Sequence, residues 1–217
     1  MGGSYIGLGF AQMYRGFGSQ VTGVQRGSRL VEREDPDVSE AIKEILENKG
    51  IDVRLGADCA GFEKRGDQVV VTATCGPGPE EIVGSHVLLA VGRLPNTHDL
   101  GLDAAGVETD KRGFIVVDDQ LATNVPGIWA TGDANGRGAF THTSFNDFEI
   151  FAANVFDNDP RRVSDRIMTY GLFIDPPLGR VGMTETQVRA SGAKALIGTM
   201  AMARVGRARE RGETQGF

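Results

Sequence analysis

Cysteine is scarce in this chain: Cys59 and Cys75, sixteen positions apart, are the whole supply. That spacing excludes a C-x-x-C pair and a cysteine metal cluster, and free thiols in or beside strands are the expected state in a reducing compartment. Histidine is as thin, with His86, His98 and His142 only. No metal site is expected. Apolar runs are short, as in VLLAVG at 87–92, whereas a membrane-spanning helix needs roughly 20 residues. The amino terminus lacks the basic, apolar and small-residue zones of a signal peptide, so a cytoplasmic location is expected. Positive charge is in deficit, with a net charge of -6 at pH 7. Nucleic acid and membrane surfaces are therefore not expected partners.

Glycine, by contrast, is plentiful at 31 of 217 residues and follows no repeat, which points to tight turns and close backbone approaches to a ligand. Residues 5–17 place Ile6, Phe10, Met13 and Phe17 at helical spacing, with Gly18 as a stop. QVTGVQRG reads as a short strand. DPDVSEAIKEILENKG offers Asp35 as N-cap, Pro36 at the first helical position, and Val38, Ile42, Ile45 and Leu46 on one face. IDVRLG is the next strand. Two antiparallel strands are expected in CAGFEKRGDQVVVTATC around a turn at 65–67, then a surface turn at GPGPEE and a buried strand in SHVLLAVG. Short strands are expected in GFIVVDD and GIWATGD and a helix in THTSFNDFEIFAANVF. From Met168 onward the expectation is strand, turn, helix and strand, with no terminal helix and a solvated arginine face over 204–213.

The chain opens on MGGSYIGLGFA, a glycine turn running straight into an apolar helix. Against the dinucleotide fingerprint G-x-G-x-x-G it supplies Gly2, Gly3, Ser4, Tyr5, Ile6 and Gly7, with Ser4 in the middle-glycine place. Serine is a tolerable trespasser there because its hydroxyl can donate to a phosphate oxygen. Such a turn is normally fed by a parallel strand, and here only Met1 precedes Gly2. The expectation is a unit lacking its first strand. About 20 residues on, where an acid would read the adenosine ribose of NAD, stands Gln25, followed by Arg26 and Arg29. With no carboxylate to repel a 2′-phosphate, the reading favours NADPH; an Arg26 pointing to solvent is the other reading.

The sharpest signal is TNVPGIWATGDANGRG, from Thr123 to Gly138. It resembles the flavin-dependent pyridine nucleotide-disulfide oxidoreductases, in which such a strand ends in an aspartate bound to the ribityl chain of FAD. The resemblance makes Asp133 the FAD ligand and Gly132 the point of close backbone approach. AVGRLPNT at 90–97 resembles the family's crossover out of the pyridine-nucleotide domain, and DPPLGRVGMTE at 175–185 the opening of its interface domain. GDANGRGAFTHTSFND is similar to the mercuric reductase and dihydrolipoamide dehydrogenase branch, with Ala139, Phe140, Thr141 and His142 spaced to approach the flavin. The helix at 141–156 would aim its positive amino end at the flavin pyrimidine. For His142 alone, a polar helix-start residue is the alternative. Resemblance also assigns Cys59 to a backbone contact with adenine and Gly92 to the nicotinamide half.

These motifs imply an α/β chain: an incomplete Rossmann-like NAD(P)-binding domain at 1–92, the returning half of a FAD-binding domain at 93–163, and the start of an α+β interface (dimerisation) domain at 164–217. The implied cofactors are FAD and NAD(P)H, and the intact family member is expected to be a homodimer. Hydride would pass from the nicotinamide to flavin N5, then as an electron pair through a cysteine pair to a disulfide or metal ion. The chain departs from the pattern in three places: it has no C-x-x-x-x-C pair, no His-Pro motif, and Gly9 where the family has an acid. No catalytic residue is therefore assigned. A fragment of a longer oxidoreductase is the expected identity, with a non-catalytic nucleotide-binding module or inactive remnant as the alternative.

Overall fold

A computed structural model describes residues 1–74 and 78–217, so Cys75 and the first Gly-Pro of GPGPEE lie outside the described residues. The chain divides into two compact units, Met1–Gly92 with Gly171–Phe217, and Arg93–Tyr170.

In the first unit, helix α1 (Tyr5–Gly16) leads to strand β1 (Thr22–Val24), helix α2 (Pro36–Asn48) and strand β2 (Asp52–Arg54). β1 and β2 pair in parallel, Gly23 opposite Val53, so this is a crossover α/β unit. Beside β1, Gly2 N donates to Val24 O (2.9 Å); on the other side Met1 N donates to Leu88 O (2.7 Å) and Ala90 N to Met1 O (2.8 Å). Residues 1 and 2 thus lie between the end of β1 and the segment 88–90.

α2 begins where the sequence places it, with Asp35 as N-cap and Pro36 at the first position. It buries Ile42, Ile45 and Leu46 against Leu8, Leu30, Val31, Leu172 and Ile174, the centre of this unit's core. α1 turns a different face inward from the expected one. Leu8 is its buried residue, with Tyr5 and Ala11 packed beside it, while Ile6, Phe10, Met13 and Phe17 are exposed. Two apolar stripes compete on this helix, and the one that can reach the α2 core is the one buried.

β3 (Asp58–Arg65) and β4 (Gln68–Thr74) form the expected antiparallel hairpin, turning through Gly66 at φ 64°. Part of the expected surface turn is instead a third strand, β5 (Pro79–Gly84), paired with β4 so that Thr72 faces Glu81. The buried strand expected in SHVLLAVG does not form. Residues 86–90 have no regular structure, and Val87, Leu88 and Leu89 are exposed. An apolar run becomes a buried strand only with neighbours along its length, and among the described residues the backbone bonds of this one go to Met1.

Beyond β6 (Thr169–Leu172), which pairs with β7 (Leu178–Val181), comes helix α5 (Glu185–Ala190), closed by a Thr184–Gln187 capping box. The expected last strand is absent, 193–201 being irregular and exposed, and a short terminal helix α6 (Gly206–Arg211) stands where none was expected. Its Arg207–Glu210 pair is exposed, as a solvated face requires.

The second unit is built on turns. Helix α3 (Leu102–Ala105) is short and α4 (Thr141–Val155) long, matching the helix read from the sequence. GFIVVDD and GIWATGD reduce to isolated bridges, Thr109 with Ile115 and Ala122 with Trp129. The cause is local: Asp110 accepts from the N–H of Arg112 and Phe114, and Asp118 from those of Gln120 and Ala122. These aspartates take backbone donors a strand ladder would use. Val107, Ile115, Val117, Leu121, Ala130 and Ile150 form the core. Among the described residues no helix is long and apolar enough to cross a membrane.

Candidate functional site

In the first unit the glycine turn is packed so closely that side chains are excluded. Gly2 holds φ 99°, and a Cβ there would collide with the Ala90 carbonyl; one at Gly7 would collide with the Gly2 carbonyl oxygen. Gly3 is buried, its N–H donating to Gln25 Oε1 at 2.8 Å. Ser4 is the exposed N-cap of α1, and its side chain makes no capping bond. Among the described residues the backbone N–H groups of Ile6 and Gly7 have no acceptor, since the first intrahelical bond runs from Leu8 N to Ser4 O. A free hydroxyl and free helix-start donors together suit an anion such as a pyrophosphate. Tyr5 donates its hydroxyl to Glu34 Oε1 (2.8 Å), and Ile6 faces solvent.

Gln25 directly follows β1 and is half-buried, and Arg26 is exposed. Arg26, Arg29 and Arg33 form no ion pair among the described residues. Cys59 lies in β3 opposite Ala73, beside an irregularity in register that runs to Gly61. Gly92 ends this unit's first segment at φ 139° with open space around it. The structure therefore brings the opening turn and Gln25 into contact, a bond that motif spacing does not reveal.

In the second unit a short 3-10 turn, Gly132–Asn135, carries the sequence-predicted aspartate. Gly132 has φ 70°, and a Cβ there would stand 2.7 Å from Ser144 Oγ. Its N–H donates to Asp147 Oδ2 (2.8 Å), which also takes the Asn135 side-chain amide (2.8 Å). Asp147 is wholly buried, and Arg166 pairs with its other oxygen. The Arg166 Nη1 atom, also buried, has no hydrogen-bond partner among the described residues. This buried pair fixes the turn that presents Asp133. Asp133 itself is half exposed, its Oδ2 2.7 Å from Arg93 Nη2. That contact joins the two quoted motifs GRLPN and TGD, and spacing alone could not have paired them.

Ala139 and Phe140 lead into α4, with Phe140 as N-cap, and the first intrahelical bond is Ser144 N to Phe140 O. The N–H groups of Thr141, His142 and Thr143 have no acceptor among the described residues. Phe140 stacks on His142 (centroids 5.4 Å apart) and on Tyr170 (6.1 Å). His142 Nε2 lies 2.7 Å from Thr169 O. A carbonyl only accepts, so that nitrogen carries a proton. A cavity of about 330 Å³ at this helix start is lined by His142, Thr143, Asn146, Arg166, Ile167 and Thr169. The arrangement offers a carboxylate acceptor on one turn and a row of free N–H donors on the next helix.

The class defined by the fold is an α/β protein with a Rossmann-like unit. Residues 1–147 match the family described as pyridine nucleotide-disulphide oxidoreductase, and the chain belongs to that family. The probable pyridine nucleotide-disulfide oxidoreductase RclA of Escherichia coli (strain K12) is 38% identical over 217 residues, all of this chain and 48% of that protein. The mercuric reductase of Streptomyces lividans is 34% identical over 217 residues, again all of this chain and 46% of that protein. Among solved structures, the HOCl-induced flavoprotein disulfide reductase RclA from Escherichia coli matches with TM-score 0.89 over 100% of this chain and 49% of that one, at 38% identity. The chain spans about half the length of the relatives it matches.

Proposed function

We propose that this chain is part of a flavin-dependent oxidoreductase in which NAD(P)H passes hydride through FAD to a disulfide or metal-ion acceptor. The opening turn carries the reading: Gly2 and Gly7 exclude side chains, Ser4 is exposed, and the start of α1 keeps free N–H donors. Gly2, Gly3, Ser4, Tyr5, Ile6 and Gly7 hold the pyrophosphate, with Gln25 and Arg26 toward the adenosine ribose and Gly92 toward the nicotinamide. Backbone at Cys59 meets the adenine. The unpaired Arg26 and Arg29 support a modest preference for NADPH over NADH.

The residues of the second unit fit a flavin. Gly132 admits close backbone approach, the half-exposed Asp133 can accept from ribityl hydroxyls, and Ala139, Phe140, Thr141 and His142 present the free donors of α4. When bound, FAD supplies the acceptor for hydride; Asp133 orients its polyol chain, and the α4 amino end favours negative charge beside it. Arg93 must yield or share the Asp133 carboxylate. In the intact protein the domains are 1–92, 93–163 and 164–217, the last contributing to a homodimer.

Titration of the chain with NADPH, followed by nicotinamide fluorescence, tests this reading. Binding that Gly7→Ala abolishes is expected, because the new Cβ would meet backbone that cannot move cheaply. Binding unaffected by Gly7→Ala would remove the turn from the site. A second reading, a nucleotide-binding module without redox chemistry, is favoured by the spacing of the only two cysteines. It predicts nucleotide binding without NADPH-dependent reduction of a dye acceptor in the presence of FAD.

A further inference from the structure

We infer that copies of this chain associate by strand exchange, the apolar stretch 195–200 of one lying in an open slot of the next one's first unit. The slot is defined by the first two residues. Gly2 N donates to Val24 O on one side, and on the other Met1 N donates to Leu88 O and Ala90 N to Met1 O. Met1 and Gly2 thus occupy the end of a strand position flanked by β1 and the segment 86–90. Among the described residues no strand fills that position behind them, since β1 pairs with β2 alone.

Both walls of the slot present unused backbone groups. In β1, Val21 O accepts from Asp52 N and Gln25 N donates to Arg54 O, so the odd-numbered residues face β2. The alternation of a parallel ladder then turns Thr22 and Val24 toward the slot, where Val24 O meets Gly2 N. On the other wall the Leu88 N–H has no acceptor among the described residues, and Val87, Leu88 and Leu89 are exposed. An open edge of this kind is a template for a further strand.

The chain also carries a stretch that fits. Residues 195–200, ALIGTM, contain no proline and no charge. Leu196 is fully exposed, Ile197 and Met200 are exposed beside it, and 194–200 form no backbone hydrogen bond among the described residues. A strand buried between two neighbours reads as a near-continuous apolar run, and this one is broken only at Gly198 and Thr199. The walls run back about 10 Å from Met1 at roughly 3.3 Å per residue, less than the stretch spans when extended. Slot and stretch are both unpaired on one chain, so the mate each finds is on another copy. The two surfaces differ, which makes the contact heterologous: every added copy brings a fresh slot. This association is separate from the homodimer proposed for the intact protein and rests on neither the nucleotide nor the flavin reading.

Sedimentation velocity of the 217-residue chain over a concentration series reads the association. The mean sedimentation coefficient is expected to rise without a plateau at the dimer, and trypsin cleavage at Lys194 to slow in step. Leu196→Lys, at a site already in solvent, should raise the concentration for half-association by about tenfold or more. Thr22→Pro removes an N–H that faces the slot while sparing the ladder to β2, and should do the same; circular dichroism checks that both variants are folded. Mixed, the two should form a 1:1 dimer and stop there, since one keeps the stretch and the other the slot. A chain that stays monomeric throughout, or whose association Leu196→Lys leaves unchanged, overturns the inference. A mixture of folded variants that yields no dimer does likewise, and so does a monomer in which Lys194 resists trypsin, because the stretch is then paired within its own chain.

Discussion

At the scale of the residue, the second unit depends on one buried ion pair. Asp147 collects the Gly132 N–H, the Asn135 amide and the Arg166 guanidinium in the buried interior of this unit. Removing one partner strands the other's charge, so Arg166→Met is expected to destabilise this unit by about 3 kcal/mol or more. Urea unfolding followed by the fluorescence of Trp129, the only tryptophan, reads that loss. The motif GDANGRGAFTHTSFND ends on Asp147 but gave it no role. It looks like any polar residue on an amphipathic helix until folding brings Gly132 and Arg166 to it, which is why glycine-aspartate could be read from the sequence and its support could not.

Among elements, α2 and α5 are joined through Asp35. Its carboxylate accepts from Glu185 N (2.8 Å), Thr186 N (3.0 Å) and the Thr186 hydroxyl (2.5 Å). Burial pushes the Asp35 carboxyl up, but these hydrogen bonds and the Arg180 charge outweigh it and hold the group below the usual aspartate value. A depressed folded pKa means that the stabilisation is present above the unfolded value, near 4, and is lost as pH falls through the lower folded one. Unfolding free energy should therefore drop between pH 5 and pH 3, and Asp35→Asn, at a cost of about 1–2 kcal/mol at neutral pH, should flatten that dependence.

The elements that were legible carry their signals locally. Pro36 and the Ile42, Ile45, Leu46 face announce α2; Gly66 announces the β3–β4 hairpin. Those that were not depend on distant partners. The runs 85–92 and 193–201 have strand composition, yet strand is a relation between segments, and neither has a ladder neighbour along its length among the described residues. The site divides in the same way. Glycine spacing revealed the opening turn, whereas the Gln25–Gly3 bond and the Arg93–Asp133 pair are tertiary facts.

For the whole molecule, surface apolarity is uneven. Leu196 is fully exposed and Ile197 and Met200 are exposed beside it, in a stretch without helix or strand. Backbone of this kind is open to cleavage. Brief trypsin digestion with mass spectrometry should find Lys194 cut ahead of Lys43, which lies within α2 and pairs with Glu47.

Leu172 and Ile174 complete the first unit's core, yet the chain reaches them only after passing through the whole of Arg93–Tyr170. During synthesis, Leu8, Leu46 and their neighbours would emerge early and wait with one wall of their packing open. The inserted unit, contiguous in sequence, can close before the unit that was begun first.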